Sequence, residues 1–297
     1  MNHDKMKNTI AFLILLSLIS CNNNNDKADG YGNFEATEIT ISAEASGKIE
    51  SLNLEEGAVL EPNLLVGLVD TTQLHLNKQQ LIASRNTVFS KSKNVLSQDN
   101  VLQEQLKTTL IEKRRIENMF AENAATKRQV DEIDGKVNVL REQIKSVRTQ
   151  NAPITNEAKS IDVQIQKIED QIQKSKIINP IKGTVLAKYA EPNEITAFGK
   201  PLYKIADISE MTLRVYISET QLPRIKIGQN VTVKIDAGKE MKSYAGTISW
   251  ISSSAEFTPK IIQTKEERVN LVYAVKVNVK NDGSLKIGMP AEMWIAP

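Results

Sequence analysis

Residues 130–172 read VDEIDGKVNVLREQIKSVRTQNAPITNEAKSIDVQIQKIEDQI. Val130, Val137, Ile144, Ala158, Ile165 and Ile172 recur at seven-residue steps. Ile133, Leu140, Val147, Ile154, Ile161 and Ile168 form a second such row. Two interleaved apolar rows make the a/d seam of a coiled coil, because a 3.5-residue repeat keeps one stripe of a helix facing a partner. Asn151 falls on the first row, where a buried amide costs stability but can fix register. Pro153 removes a backbone donor and predicts a kink. The rows resume in phase beyond it, so the arm continues.

Upstream, Leu74, Leu81, Val88, Val95, Leu102 and Ile116 share one seven-residue row, with Leu106, Leu110 and Phe120 nearby. The pattern breaks between Asn118 and Thr126. Two arms of similar length with a short connection should pack antiparallel. This predicts a helical hairpin over residues 71–177 with its tip near 118–128. Each arm of about 50 residues would reach about 75 Å at 1.5 Å per residue. A dimerisation stalk is the plainer reading of such a hairpin.

The flanks of the hairpin read as β-structure. Ile39-Thr40-Ile41, Gly47-Lys48-Ile49, Leu52-Asn53-Leu54 and Leu64-Leu65-Val66 are short alternating or apolar runs punctuated by Gly47, Gly57, Pro62 and Gly67. Downstream, Lys182-Gly183-Thr184-Val185 matches Ser46-Gly47-Lys48-Ile49. The segment from Gly199 to Asp207 resembles that from Pro62 to Asp70, which makes an internal repeat. Neither half can bury a core alone, so residues 37–70 and 178–209 should pair into one small β-sandwich split by the hairpin. Residues 210–255 read as a small antiparallel barrel, with a short helix capped by Ser218. Residues 256–297 read as a terminal β-domain that the first strand of residues 37–70 could join. The expected fold class is α+β, elongated and multidomain.

Composition narrows the function. The 297 residues carry a net charge of +2, so no basic excess points to nucleic acid. Aromatics are 5%, low for a compact enzyme core. His3, His75 and Cys21 are too few for a His/Cys zinc site or a Cys–His nucleophile. No phosphate-binding Gly-rich loop followed by Lys-Ser/Thr, no Gly-x-Ser-x-Gly and no His-Glu-x-x-His occurs. Catalytic, cofactor and metal residues are therefore not expected, and the chain does not read as an enzyme. Lys5 and Lys7 precede an apolar run from Ile10 to Ile19, then Leu18-Ile19-Ser20-Cys21. A basic start, a short apolar core and a small residue before the cleavage point describe an export signal over residues 1–21, opening at Met1 or Met6. Its end resembles a bacterial lipobox, which implies lipid attachment at Cys21; an uncleaved anchor or a chance cysteine is the alternative. Residues 22–36, rich in Asn, Asp and Gly, read as a flexible tether.

Signal, half-module, helical hairpin, second half, barrel and terminal domain follow one another in an order that resembles the bacterial periplasmic adaptor family. These are also called membrane fusion proteins, here of the haemolysin-secretion type. Ala43-Glu44-Ala45-Ser46-Gly47-Lys48-Ile49 and Asn179-Pro180-Ile181-Lys182-Gly183-Thr184-Val185 resemble the signature segments of the family's lipoyl-like domain. Gly288-Met289-Pro290-Ala291 resembles its terminal motif. Ala255-Glu256-Phe257-Thr258-Pro259-Lys260, Gln263-Thr264 and Glu266-Glu267-Arg268 resemble a subgroup that often works with ABC exporters. At the tip, Arg115, Met119, Thr126 and Asp131 keep the family's spacing, with Met in place of Leu and Thr in place of Ser.

The resemblance implies an adaptor of a tripartite efflux or secretion system. It would link an inner-membrane transporter, of ABC type in preference to proton-driven, to a TolC-like outer-membrane channel. The tip residues would dock on that channel; locally, Thr126 could be only an N-cap and Met119 only the last core residue. The implied setting is periplasmic, lipid-anchored to the inner membrane, as a homo-oligomer, a hexamer in the family manner. True lipoyl domains modify a lysine at the turn between the halves. The coiled coil replaces that turn here, and Lys48 and Lys182 lie in β segments, so no swinging-arm cofactor is expected. A coiled-coil lipoprotein tethering envelope layers without export is the rival reading.

Overall fold

The computed structural model describes residues 27–238, 240–256 and 271–295. Cys21 and the stretch from Phe257 to Arg268 lie outside them. The described chain divides into two units, one from Ile39 to Ile205 and one formed by residues up to Glu38 together with Ala206 onward.

In the first unit, the segment before the hairpin supplies β2 (Glu38–Ser42), β3 (Gly47–Leu52), β4 (Val59–Leu60) and β5 (Leu65–Val69). The segment after it supplies β6 (Lys176–Ile178), β7 (Gly183–Lys188), β8 (Ile195–Thr196) and β9 (Pro201–Ala206). They form two four-stranded sheets, β2-β9-β7-β4 and β6-β5-β3-β8, each drawing two strands from either side of the hairpin. Ile49, Val66, Leu202, Tyr203 and Ile205 fill the core between them. Neither half is therefore a folding unit on its own.

The duplication runs deeper than the residue matches. β3, β4 and β5 begin 136 residues before β7, β8 and β9. The left-handed residues obey the same offset: Gly57 (φ 85°) answers Asn193 (φ 75°), and Asn63 (φ 64°) answers Gly199 (φ 82°). Gly47↔Thr196 and Lys48↔Ile195 on one side mirror Gly183↔Leu60 and Thr184↔Val59 on the other. This offset shifts the match of the 62–70 segment by one residue from the sequence reading, so that Leu65 answers Pro201. Left-handed turns fix backbone register, whereas leucine-rich runs align almost as well one step apart.

The hairpin consists of α1 (Thr72–Ala121), α2 (Lys127–Thr149) and α3 (Asn151–Lys174). It enters where the Asp70 carboxylate accepts the Thr72 N–H at 2.8 Å and returns where the Ser175 carbonyl accepts the Val69 N–H at 2.9 Å. Val88, Val95, Ile133, Val137, Ile144, Ala158 and Ile165 are buried along its seam. The second arm is interrupted at Gln150. Pro153 lies one turn beyond, and its ring and missing N–H leave the Thr149 carbonyl without a helical donor.

The second unit is a closed antiparallel barrel, in the order β1 (Gly30–Glu35), β10 (Glu210–Ser218), β13 (Val272–Lys280), β12 (Met241–Ile251), β11 (Asn230–Asp236) and β14 (Pro290–Trp294). Two expectations are corrected here. Residues 30–35, read as tether, are a strand bonded to both β10 and β14. Residues 210–255 and the strands of 256–297 make one barrel and not two domains, since β12 and β13 pair directly. A barrel has no free edge, and β1 is what closes it. Gly32 permits this: a Cβ there would overlap the Arg214 carbonyl. The helix expected after Ser218 is a 3₁₀ turn, Glu219–Arg224, with the Ser218 N–H donating to Gln221 Oε1 at 2.9 Å.

Candidate docking site at the hairpin tip

The tip lies between Ala121 and Lys127. The Ala124 N–H donates to the Met119 carbonyl at 2.7 Å, and the Asn123 N–H to the Phe120 carbonyl at 3.0 Å. Asn123 takes φ 59°, the left-handed turn that ends α1. Thr126 then opens α2 with a reciprocal cap: its N–H donates to Gln129 Oε1 at 2.7 Å and its hydroxyl oxygen accepts the Gln129 N–H. Thr126 thus holds the turn, and its hydroxyl is engaged within it.

Arg115 is largely exposed and pairs with Glu112 at 3.2 Å. Asp131 pairs with Lys127 at 2.9 Å, and that hydrogen bond raises the Lys127 ammonium above its ordinary value. Both pairs lie within one helix and cost little to exchange for other partners. Met119 is 41% exposed, and Phe120 beside it is 42% exposed. Phe120 reads in the sequence as a neighbour of the seam; the structure leaves it as exposed as Met119.

Below the tip, α1 carries a second, largely polar row. Lys78, Arg85, Ser92, Asp99, Leu106 and Lys113 follow one another at seven-residue steps beside the apolar row. Lys78 pairs with Glu169 at 2.9 Å, Arg85 with Asp162 at 3.1 Å, Asp99 with Arg148 at 2.9 Å and Lys113 with Asp134 at 2.5 Å. In each pair the two residue numbers sum to 247, which is the register of an antiparallel hairpin. Ser92 donates to Asn151 Oδ1 at 2.8 Å, so the seam amide is partnered. Asp99, almost buried, also accepts from Gln103 at 2.6 Å. The hydrogen bond from Arg148 holds its carboxyl below the usual range against the opposing effect of desolvation. A slip of one heptad in either direction would set Lys113 opposite Arg141 or Lys127. The clue in the sequence was charge of opposite sign at matching seven-residue steps in the two arms.

Elsewhere, Lys48 lies within β3, and Lys182 pairs with Glu61 at 2.8 Å. Among the described residues, no group of three or more His, Cys, Asp or Glu is placed to hold a metal.

A family model described as a YknX-like beta-barrel domain matches residues 211–295. That span covers β10 to β14 as one domain. MacA from Actinobacillus actinomycetemcomitans superposes with a TM-score of 0.51 at 20% identity, over 89% of this chain and 76% of that one. The chain shares the fold of the periplasmic adaptor, or membrane fusion, proteins. A MacA-MexA chimera carrying the Pseudomonas aeruginosa MexA alpha-hairpin matches this adaptor fold with a TM-score of 0.50 at 21% identity, over 90% and 78% of the two chains. In sequence, the chain is 25% identical to a UPF0194 membrane protein of Enterobacter sp. (strain 638), over 88% of this chain and 86% of that relative. A UPF0194 membrane protein of Yersinia enterocolitica is also 25% identical, over 88% and 87%.

Proposed function

We propose that this chain is the periplasmic adaptor subunit of a tripartite export system. The observation that carries the reading is the insertion of a coiled-coil hairpin, with about 75 Å arms, at the junction between the halves of one β-module. Such an insertion presents a distant tip from a fixed base, which suits a connector. At the tip, Met119 and Phe120 would supply apolar contact with a TolC-like outer-membrane channel. Arg115, released from Glu112, would offer its forked donors to carbonyl oxygens at a helix end of that channel. Thr126 would act by holding the turn, and Asp131 by pairing with a cation of the partner.

Lipid on Cys21 would anchor the chain to the inner membrane. No helix among the described residues is long and apolar enough to cross a membrane. Gly30 follows Cys21 by nine residues, so the barrel would sit within about 30 Å of the anchored cysteine. This supports a barrel that meets an inner-membrane transporter. The Phe257-Thr258-Pro259-Lys260 region favours an ABC transporter, and several copies, six in the family manner, would surround it.

A photocrosslinking amino acid at Arg115 or Met119, in cells making the full chain, tests the docking. Adducts with an outer-membrane channel are expected. Adducts confined to inner-membrane or soluble proteins would overturn it, and would favour a tether if deletion of the gene also left export intact.

A further inference from the structure

Every neighbouring pair of strands in the barrel is antiparallel, so its strand ends sort into two mouths. One mouth collects the starts of β1, β11 and β13 and the ends of β10, β12 and β14. Exposed apolar side chains gather there. Ile227, in the turn that leads into β11, is 66% exposed, and Tyr31 of β1 is 56% exposed. Leu271, just before β13, is 48% exposed, and Trp250, near the end of β12, 40%. Trp294 closes β14 at the same mouth, so both tryptophans of the chain lie there. Each ring has a cation beside it: the Lys234 ammonium is 4.0 Å from the Trp294 ring centre, and that of Lys276 is 5.5 Å from the Trp250 ring centre. Rings with an apolar body and a polar tip suit the boundary between hydrocarbon and lipid headgroups.

The barrel supplies its own comparison. Ile225-Lys226-Ile227-Gly228 before β11 is matched by Leu285-Lys286-Ile287-Gly288 before β14, with Gly228 at φ 85° and Gly288 at φ 81°. In both turns the first residue is buried and the second apolar one points outward. β11 and β14 are antiparallel neighbours, so the two turns stand at opposite mouths. Ile227 is the more exposed of the two, and Ile287 shares its mouth with no tryptophan. Arg224 and Lys226 flank Ile227, and the Lys226 N–H donates to Gln229 Oε1 at 2.9 Å, which fixes the turn. Two acids lie at this mouth near them. Asp29 accepts the Ile295 N–H at 2.8 Å and stands 3.7 Å from Arg224, and Glu219 is exposed.

We infer that this mouth rests on the phospholipid surface of the membrane that holds the start of the chain, with Ile227 and Trp250 in the headgroup layer. The chain enters β1 at this same mouth, nine residues after Cys21. Lipid on Cys21, or the apolar run from Ile10 to Ile19 left in place, would each put a bilayer within about 30 Å of Gly30. The inference rests on that anchor and not on the adaptor role. One isoleucine and one partly exposed ring bind lipid only weakly from solution. Tethered so closely, they meet the surface at an effective concentration of about millimolar, which makes a weak contact persistent. Arg224 and Lys226 add attraction to anionic headgroups and so supply a second signal beside the anchor.

Brominated phospholipids test this, because they quench only a tryptophan that touches lipid. Tryptophan occurs only at 250 and 294, so the anchor itself emits nothing. The full-length chain, alone in vesicles of phosphatidylethanolamine and phosphatidylglycerol, is floated on a density gradient. Its emission is then compared with that in vesicles whose lipids are brominated near the headgroup. Emission should fall by roughly half. Ile227→Asp should remove most of that quenching, whereas Ile287→Asp at the opposite mouth should leave it unchanged. Near-ultraviolet circular dichroism checks the barrel in each variant. A floated chain whose tryptophans stay unquenched would overturn the inference and leave the anchor standing. A chain that does not float would remove the anchor and the inference with it. Equal loss from the two isoleucine variants, or shielding of Trp250 only once an inner-membrane transporter is added, would also overturn it.

Discussion

Asn179 shows how one side chain can hold a split module together. It is fully buried, and its amide donates to the carbonyls of Glu61 at 2.8 Å and Ile181 at 2.5 Å. Its Oδ1 accepts from the Tyr203 hydroxyl at 3.1 Å. Burial pushes the Tyr203 hydroxyl up to about 12, so it stays a donor at any working pH. The Asn179 backbone accepts from Asn63 and donates to Leu64. The pseudo-symmetric position is Ala43, which makes the equivalent backbone bonds to Gly199 and Lys200 but has no amide to add. Only the second half carries the clasp. Asn179→Ala should lose about 2–4 kcal/mol, since it leaves two part-buried carbonyls and the buried Tyr203 hydroxyl without the partner they have here. Chemical denaturation followed by Trp-independent probes of the module, such as amide exchange at Val66 and Leu202, would show it. An unchanged protection there would contradict the clasp.

Among the elements, the hairpin ladder makes the sharper forecasts. Arg148→Asp alone leaves two carboxylates at the Asp99 layer and should lower the melting temperature of the helical signal. Asp99→Arg combined with Arg148→Asp should recover most of the loss, and a double variant as unstable as the sum of the singles would rule out the pairing. Acid offers a second check. The carboxyl of Asp99 is depressed below its ordinary 3.8 in the fold. Its contribution is therefore present above about pH 4 and is lost as pH falls through the lowered value. Helical stability should drop below pH 4, and Asp99→Asn should flatten that drop. The apolar rows of the second arm, such as Val137 and Ile144, were legible from spacing because Asn151 alone interrupts them. The α1 row of Lys78, Arg85 and Asp99 was not, because isolated charges read as solvated surface until the partner arm supplies their level. Likewise, the spacing of Arg115, Met119, Thr126 and Asp131 could be read in advance. The exposure of Phe120 could not, since it depends on where α1 ends.

For the whole chain, the consequential strand is the one that looked least like a strand. β1 presents only Phe34 as a large side chain to the barrel interior, with Gly30 and Gly32 beside it. Composition made residues 22–36 resemble a linker because glycine and asparagine carry no strand signal. Yet Phe34 is fully buried, and its backbone bonds Met289 and Gly288 in the turn before β14. The barrel thus takes its first strand from one side of the module and five from the other, and it cannot close until the chain has passed through both halves and the hairpin. A chain beginning at residue 37 should keep its module and hairpin but open the barrel between β10 and β14. Amide exchange is the measurement: Arg214 and Tyr216 of β10, whose backbones face β1, should lose protection, while Ile49 and Val66 of the module keep theirs. A chain beginning at Lys27 should protect all four. Equal protection of β10 in both chains would mean that β1 adds no closure, and the barrel would then need another way to cover the edge that Phe34 now seals.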